Sequence, residues 1–172
     1  MTLPNILTCI RVLLIPVFMA LAYQEGDGFQ TAALAVYVIA CLTDYVDGKL
    51  ARKNNQVTNF GKFMDPVADK LLVIAAMCMF CEWGVFPAWA LMIVLTREFA
   101  VTGLRLIAVQ KGTVIAAGWS GKVKTASTMV GLCVMMALPG IAVLNWVVIA
   151  VIVLTTLYSG IEYFVQNWGC LW

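Results

Sequence analysis

Four aspartates lie close together in the sequence, Asp44, Asp47, Asp65 and Asp69, although the chain is 63% hydrophobic. The first two are three residues apart and the last two are four apart, so each pair would share one face of a helix. If two such helices pack side by side, the four carboxylates converge. Because like charges repel strongly in a partly desolvated pocket, this arrangement requires a cation. The spacing therefore predicts a metal site.

The ligand chemistry indicates which metal would bind. The donors are carboxylate oxygens, and the chain contains no histidine. Oxygen donors favour Mg²⁺ or Mn²⁺, with Ca²⁺ as a competitor, and two divalent ions would neutralise four carboxylates. A carboxylate-held pair of ions also suits an in-line displacement at phosphorus, because it stabilises the attacking and the leaving oxygen. The motif thus predicts a phosphoryl-transfer site with two Mg²⁺ or Mn²⁺ ions.

Two other interpretations of the aspartates remain open. They could cap helices or pair with the nearby lysines and arginines, and Asp65 followed by Pro66 resembles a helix start. They could also form the transit site of a divalent-cation transporter, although polar groups would then be expected to continue across the bilayer. Gly48 and Gly61 favour a binding site, since a missing side chain lets a substrate or another backbone approach closely.

The segments of the chain that must position these residues are mostly apolar. With 172 residues and 12% charged residues, the chain is far too apolar for a typical soluble domain. The net charge of +2 is too small to indicate a nucleic-acid partner. We predict an all-α integral membrane protein, one domain over 1–172 with six transmembrane helices in one bundle. The apolar runs are 5–23, 29–49, 63–82, 86–108, 121–138 and 143–166.

The charges in the connections predict the orientation of this bundle. The connections after the first, third and fifth runs contain no lysine or arginine, and acidic residues lie after the first and third, whereas lysines and arginines are concentrated around the connections after the second and fourth runs. By the positive-inside rule, both termini are cytoplasmic. The predicted active site then lies on the cytoplasmic side of a multi-pass protein of the cell membrane.

The motif resembles a known family signature. The stretches "DYVDGKLAR" (44–52) and "GKFMDPVAD" (61–69), eight residues apart, match without a gap the signature of the CDP-alcohol phosphotransferases. Members of this family are membrane enzymes with six helices, commonly homodimers, in which an alcohol displaces CMP from a CDP-linked lipid. The resemblance therefore implies the same fold, a membrane-lipid substrate and a homodimer.

The resemblance also implies roles for individual residues. The four aspartates would hold two divalent ions, and Asp69 would also act as the general base on the acceptor hydroxyl. Positions that contact the CDP-lipid in the family correspond here to Gly48, Arg52, Thr58 and Gly61. An arginine can bind a phosphate through two parallel hydrogen bonds, and a carboxylate near a bound hydroxyl can accept its proton.

Three further stretches resemble the branch of the family that uses sn-glycerol 3-phosphate as the acceptor: 3–18, 97–105 and 121–125. On this basis the substrates are CDP-diacylglycerol and sn-glycerol 3-phosphate, and the cations expected to bind the acceptor phosphate are Arg105, Lys122 and Lys124. We expect Arg97, inside an apolar run, to pair with Glu98 or a neighbour. Lysines 122 and 124 could instead be positive-inside anchors. Inositol phosphate, serine or phosphatidylglycerol remain alternative acceptors.

Overall fold

The structure is a computed structural model that describes residues 3–24, 27–53, 59–112, 115 and 118–170. Within these ranges only the backbone is described at 3–7, 27, 29, 44–53, 59–63, 65, 66 and 170. The described residues form six α-helices and no strand, which confirms the all-α prediction. The helices are α1 (Leu3–Ala22), α2 (Asp27–Lys53), α3 (Asn59–Glu82), α4 (Ala88–Gln110), α5 (Trp119–Ala137) and α6 (Ala142–Gln166), followed by a short 3₁₀ helix at Trp168–Cys170.

The boundaries differ most from the apolar runs around the acidic motif. The second run ends at residue 49, but α2 continues to Lys53, and α3 begins at Asn59 rather than at residue 63. An apolar run ends at the first charged residues, whereas the backbone hydrogen bonds of a helix continue through charged residues that favour helix. Consequently all four aspartates lie within helices, not in the connection between them.

Glycines end three of the helices. Gly84, Gly112 and Gly140, just after α3, α4 and α5, have φ angles of 69°, 74° and 86°. This left-handed conformation is strained for residues with a Cβ atom, so glycine is the residue that ends a helix there at least cost. These positions lie in the turn-like stretches between the apolar runs.

One of the described helices meets the length and hydropathy expected of a membrane span. Helix α6 has 25 residues and a mean hydropathy of 2.1, and shorter apolar segments cover Thr8–Ala22 and Gln30–Thr43. Ionisable residues such as Asp69, Arg97 and Lys124 lie within the other helices, which lowers their hydropathy. The six-span bundle and the cytoplasmic termini therefore stay predictions.

The chain divides into two compact units. The first unit comprises residues 1–80 and 136–139, and the second comprises 81–135 and 140–172. In the first unit, α1 packs on α2, with the ring centroids of Phe18 and Tyr37 5.8 Å apart and both residues fully buried. The small residues Ala33 and Ala40, also on α2, are buried as well. The prediction of a single domain is not tested by this division.

In the second unit, α4 packs on α6 around Val101, Leu104 and Tyr163. Helix α5 approaches α6 closely at Gly131, where an added Cβ atom would lie 2.7 Å from Val148 Cγ1 and 3.5 Å from Ile152 Cδ1. The absence of a side chain at residue 131 thus allows the two helices to approach this closely.

We expect Gly131→Ala to destabilise the protein by about 1–3 kcal/mol, the usual cost of overpacking, because the new methyl group overlaps a β-branched side chain with few rotamers. The thermal unfolding midpoint in detergent measures the effect. The matched control is Gly103→Ala in α4, where an added Cβ atom meets nothing within 4 Å. Equal midpoints for the two variants would contradict the close α5–α6 contact.

Candidate active site

The acidic motif lies on two helices of the first unit. The backbone is helical at Asp44 and Asp47 in α2 and at Asp65 and Asp69 in α3, as the three- and four-residue spacings require. Of the four side chains, the structure describes that of Asp69. No three acidic or cysteine side chains come together among those described, and since three of the aspartates fall outside that set, the metal site stays a prediction.

Three of the four predicted CDP-lipid residues belong to the same helices. Gly48 and Arg52 lie in α2 and Gly61 lies in α3, with the backbone alone described at each. Thr58 lies outside the described residues. The aspartates of α2 and α3 would supply only carboxylate oxygens as donors, and Mg²⁺ and Mn²⁺ prefer oxygen donors. The residues present therefore fit the expected metal.

The side chain of Asp69 contacts a residue that the motif does not contain. Arg11 of α1 donates a hydrogen bond from Nη1 to Asp69 Oδ1 over 2.9 Å. The Arg11 side chain is 1% exposed and that of Asp69 is 28% exposed. Burying a guanidinium among apolar residues is costly unless a carboxylate pairs with it. Arg11 therefore fixes the position of Asp69 across the α1–α3 contact.

Sequence reasoning did not assign this partner. Arg11 is noticeable in the sequence because it interrupts the apolar run of α1, and an ionisable residue in such a run usually faces a partner or a polar cavity. That signal predicts a partner but does not say which carboxylate among the nine acidic residues of the chain it is. The 58-residue separation in sequence makes the pairing a property of the fold.

A second polar cluster lies within the second unit, between α4, α5 and α6. Glu98 Oε1 accepts hydrogen bonds from Lys124 Nζ over 2.6 Å and from Arg97 Nη1 over 3.1 Å. Arg97 Nε also donates to Ser159 Oγ over 3.1 Å. The side chains of Lys124, Arg97 and Glu98 are 5%, 12% and 14% exposed. The three ionised side chains carry a net charge of +1 in a largely buried position.

Two glycines make room for the Arg97 side chain. An added Cβ atom at Gly160 of α6 would lie 3.2 Å from Arg97 Cγ, and one at Gly121 of α5 would lie 3.4 Å from Arg97 Nη2. The arginine therefore passes between α5 and α6 at positions without side chains. The predicted pairing of Arg97 with Glu98 is confirmed, whereas Lys124 as a second partner of Glu98 was not predicted.

The three predicted acceptor residues have different surroundings. Lys124 is buried in the ion pair with Glu98, and Lys122, two residues earlier in α5, is exposed. Arg105 is exposed and lies over the ring of Tyr163, 5.3 Å from its centroid, with Nε donating to the Tyr163 hydroxyl over 2.9 Å. The structure thus places all three in the second unit, and their binding of an acceptor stays a prediction.

Comparison with known proteins identifies the family. The profile of the family described as CDP-alcohol phosphatidyltransferase matches residues 1–158. A CDP-diacylglycerol–glycerol-3-phosphate 3-phosphatidyltransferase of Bacillus subtilis is 40% identical to the chain, over 98% of this chain and 96% of that protein. An enzyme of the same name from Escherichia coli K12 is 40% identical over 94% of this chain and 92% of that protein. A probable phosphatidylglycerophosphate synthase of Mycobacterium tuberculosis H37Rv is 41% identical over 94% of this chain and 79% of that protein. The match to the family covers nearly the whole length, including both halves of the acidic motif, and the chain therefore belongs to the CDP-alcohol phosphatidyltransferase family.

Proposed function

We propose that this protein transfers the phosphatidyl group of CDP-diacylglycerol to sn-glycerol 3-phosphate, producing phosphatidylglycerophosphate and CMP for phospholipid biosynthesis. The observation that carries the proposal is the identity of about 40% over 94–98% of the chain to enzymes named for this reaction. The aligned region, 94–98% of the chain, includes the acidic motif and most of the second unit, which contains the residues expected to bind the acceptor.

The proposed enzyme is a multi-pass protein of the cell membrane, with six spans, both termini cytoplasmic and a homodimeric assembly. The chemistry of the substrates supports this placement. Diacylglycerol chains require hydrocarbon, whereas the CDP group and glycerol 3-phosphate require water, so a site at the cytoplasmic surface accommodates both. The lysines and arginines that flank the acidic motif are expected on that side of the membrane.

The acidic motif would bind the reacting end of the lipid. Asp44, Asp47, Asp65 and Asp69 would hold two Mg²⁺ or Mn²⁺ ions, which when bound supply electrostatic stabilisation of the charge on the phosphoryl oxygens. Gly48 and Gly61 would leave space for the CDP moiety, with Thr58 near it. Arg52 would bind a phosphate of the CDP group as a bidentate donor and stabilise negative charge on the departing CMP.

Asp69 would act as the general base. It accepts the proton of the sn-1 hydroxyl of glycerol 3-phosphate while that oxygen forms a bond to the lipid-side phosphorus of CDP-diacylglycerol. The bond between this phosphorus and the CMP oxygen breaks, and CMP leaves with the bonding electron pair. The Arg11 contact supports this role because it holds Asp69 Oδ1 at a defined position, which keeps the carboxylate in the orientation that proton transfer requires.

The second unit would bind the phosphate of the acceptor. Glycerol 3-phosphate is a dianion, and the buried cluster of Arg97, Glu98 and Lys124 has one positive charge in excess. Arg105 and Lys122 add two exposed cations. An excess of positive charge in a partly desolvated position attracts an anion. We therefore assign the acceptor phosphate to Arg105, Lys122 and Lys124, with Arg97 holding Glu98 in place.

The test of the proposed function is CMP release by the purified protein in detergent with CDP-diacylglycerol and Mg²⁺. Glycerol 3-phosphate, inositol phosphate, serine and phosphatidylglycerol are offered separately as acceptors. We expect release with glycerol 3-phosphate alone. Release with a different acceptor would keep the reaction type but reassign the substrate, and no release with any acceptor from folded protein would overturn the proposal. Metal uptake by proteoliposomes without CDP-lipid would favour the transporter.

A further inference from the structure

A cavity in the second unit has no part in the proposed reaction. It lies between α5 and α6 within the second unit and has a volume of about 370 Å³, and its lining includes Trp119 and Ser120 of α5 and Tyr158 and Glu162 of α6. Thr155 of α6 also lines it. The cavity therefore combines a carboxylate, hydroxyl groups and two aromatic rings.

The carboxylate of Glu162 is incompletely satisfied. Its Oε1 atom accepts a hydrogen bond from Gln166 Nε2 over 3.0 Å. Its Oε2 atom is buried and has no hydrogen-bond partner in the described part of the chain. No lysine or arginine forms an ion pair with Glu162 among those same residues. A buried carboxylate oxygen without a donor is unfavourable, so the site lacks a donor or a positive charge.

The other groups in the cavity suit a cation that carries N–H bonds. The Thr155 hydroxyl donates to Val151 O over 2.7 Å and lies 3.2 Å from Ser127 Oγ, so its oxygen can offer the cavity an acceptor but no donor. Ser120 adds a second hydroxyl. Trp119 and Tyr158 present aromatic rings, whose faces attract cations. A primary ammonium can donate hydrogen bonds to the carboxylate and the hydroxyls, whereas a quaternary ammonium has no N–H to donate.

The position of the cavity indicates a lipid as the source of the ammonium. On the proposed orientation, α5 begins and α6 ends at the cytoplasmic surface, and the cavity lies beside both ends. Trp119 and Tyr158 are 79% and 66% exposed, as is typical of aromatic residues at the level of lipid headgroups. From the cavity, an exposed apolar strip continues along α6 through Leu154, Val151 and Val147, and acyl chains could lie along it.

We propose that this cavity binds the headgroup of a phospholipid that carries a primary ammonium. The ammonium binds the Glu162 carboxylate and donates hydrogen bonds to the hydroxyls of Ser120 and Thr155, between the rings of Trp119 and Tyr158. The acyl chains lie along the apolar strip of α6. The site goes beyond the transferase reaction and uses the proposed function only for the orientation in the membrane.

Native mass spectrometry of the full chain in detergent tests the site, with phosphatidylethanolamine and phosphatidylcholine of identical acyl chains as probes. We expect phosphatidylethanolamine to bind at least about tenfold more tightly than phosphatidylcholine, a ratio that corresponds to about 1.4 kcal/mol. Glu162→Gln retains an acceptor for Gln166 but removes the charge. It should weaken the binding of phosphatidylethanolamine about tenfold and leave that of phosphatidylcholine unchanged.

The matched control is Glu82→Gln, which removes an exposed carboxylate outside the cavity and should leave both lipids bound as before. Trp119→Leu, at a side chain that is 79% exposed and so outside the protein core, should weaken the binding of phosphatidylethanolamine about threefold.

Unchanged binding of phosphatidylethanolamine by Glu162→Gln, or equal binding of the two lipids by the unaltered protein, overturns the proposal. So does competition by soluble ethanolamine at the concentrations at which the lipid binds, because the acyl chains would then contribute nothing. Dissociation of an oligomer on Glu162→Gln without added lipid would mean that a cation of a second copy occupies the cavity, which also overturns it.

Discussion

The Asp69→Asn variant should release CMP at least about 10³-fold more slowly than the unaltered protein when CDP-diacylglycerol and glycerol 3-phosphate are both saturating. An amide cannot accept the proton of the acceptor hydroxyl, and general-base catalysis typically contributes 10²–10⁴-fold. The substitution also removes one carboxylate from the proposed metal site. The asparagine Oδ1 can still accept the hydrogen bond from Arg11 that spans 2.9 Å, but the buried guanidinium loses its ionised partner, so we expect the fold to be retained with a lower unfolding midpoint.

Steady-state CMP release measures this effect, and the thermal unfolding midpoint checks the fold. The matched control is Asp27→Asn, at the one aspartate of the chain outside the acidic motif, and it should leave the rate unchanged. A rate for Asp69→Asn within about threefold of the unaltered protein would exclude Asp69 as the base. A loss restored by raising the concentration of Mg²⁺ or Mn²⁺ would assign Asp69 to metal binding rather than to proton transfer.

The Glu98→Met variant should lose about 3–5 kcal/mol of stability, the usual cost of leaving a buried charge without its partner. Glu98 Oε1 accepts hydrogen bonds from both Arg97 and Lys124, so its removal leaves two cations together in a largely buried position. Lys124→Met should cost less, because the pair of Arg97 and Glu98 remains and is neutral.

The double variant Glu98→Met/Lys124→Met separates this coupling from simple loss of packing. It leaves a net charge of +1, as in the unaltered cluster, and should recover part of the stability lost in Glu98→Met. Thermal unfolding midpoints in detergent measure all three variants. Lys122→Met, at an exposed lysine of the same helix, is the stability control and should unfold at the unaltered temperature. Strictly additive losses in the double variant would contradict the coupled cluster.

Lys124 also illustrates why a role cannot be assigned from charge and position along the chain. Lysines 122 and 124 are two residues apart near the start of α5, and in the sequence they are equivalent candidates for the acceptor phosphate. Residues two apart lie on different sides of a helix, and in the structure Lys122 is exposed whereas Lys124 is 5% exposed and bound to Glu98. Of the two lysines, Lys124 is therefore the one that joins α5 to Glu98 of α4.

The six helices and the acidic motif could be predicted because their causes are local in sequence. A run of about 20 apolar residues indicates a membrane helix whatever it contacts, and the spacing of Asp44, Asp47, Asp65 and Asp69 places each pair on one helix face. The resemblance to the family rests on the same residues, and the match over residues 1–158 confirms it. The ends of α2 and α3 were less accurate because hydropathy reports polarity, not backbone hydrogen bonding.

The sequence by itself determined the helical class and the family, and it predicts which residues would perform metal-dependent phosphoryl transfer, because residue type and short-range spacing suffice for each. Only the tertiary structure decided which further buried charges neutralise one another: Arg11 with Asp69, and Lys124 with the predicted pair of Arg97 and Glu98. Two of these pairs join residues 58 and 26 positions apart, and the close contact of α5 with α6 at Gly131 is likewise a contact between helices. Such contacts depend on how helices pack across the whole chain, and no local pattern contains that information.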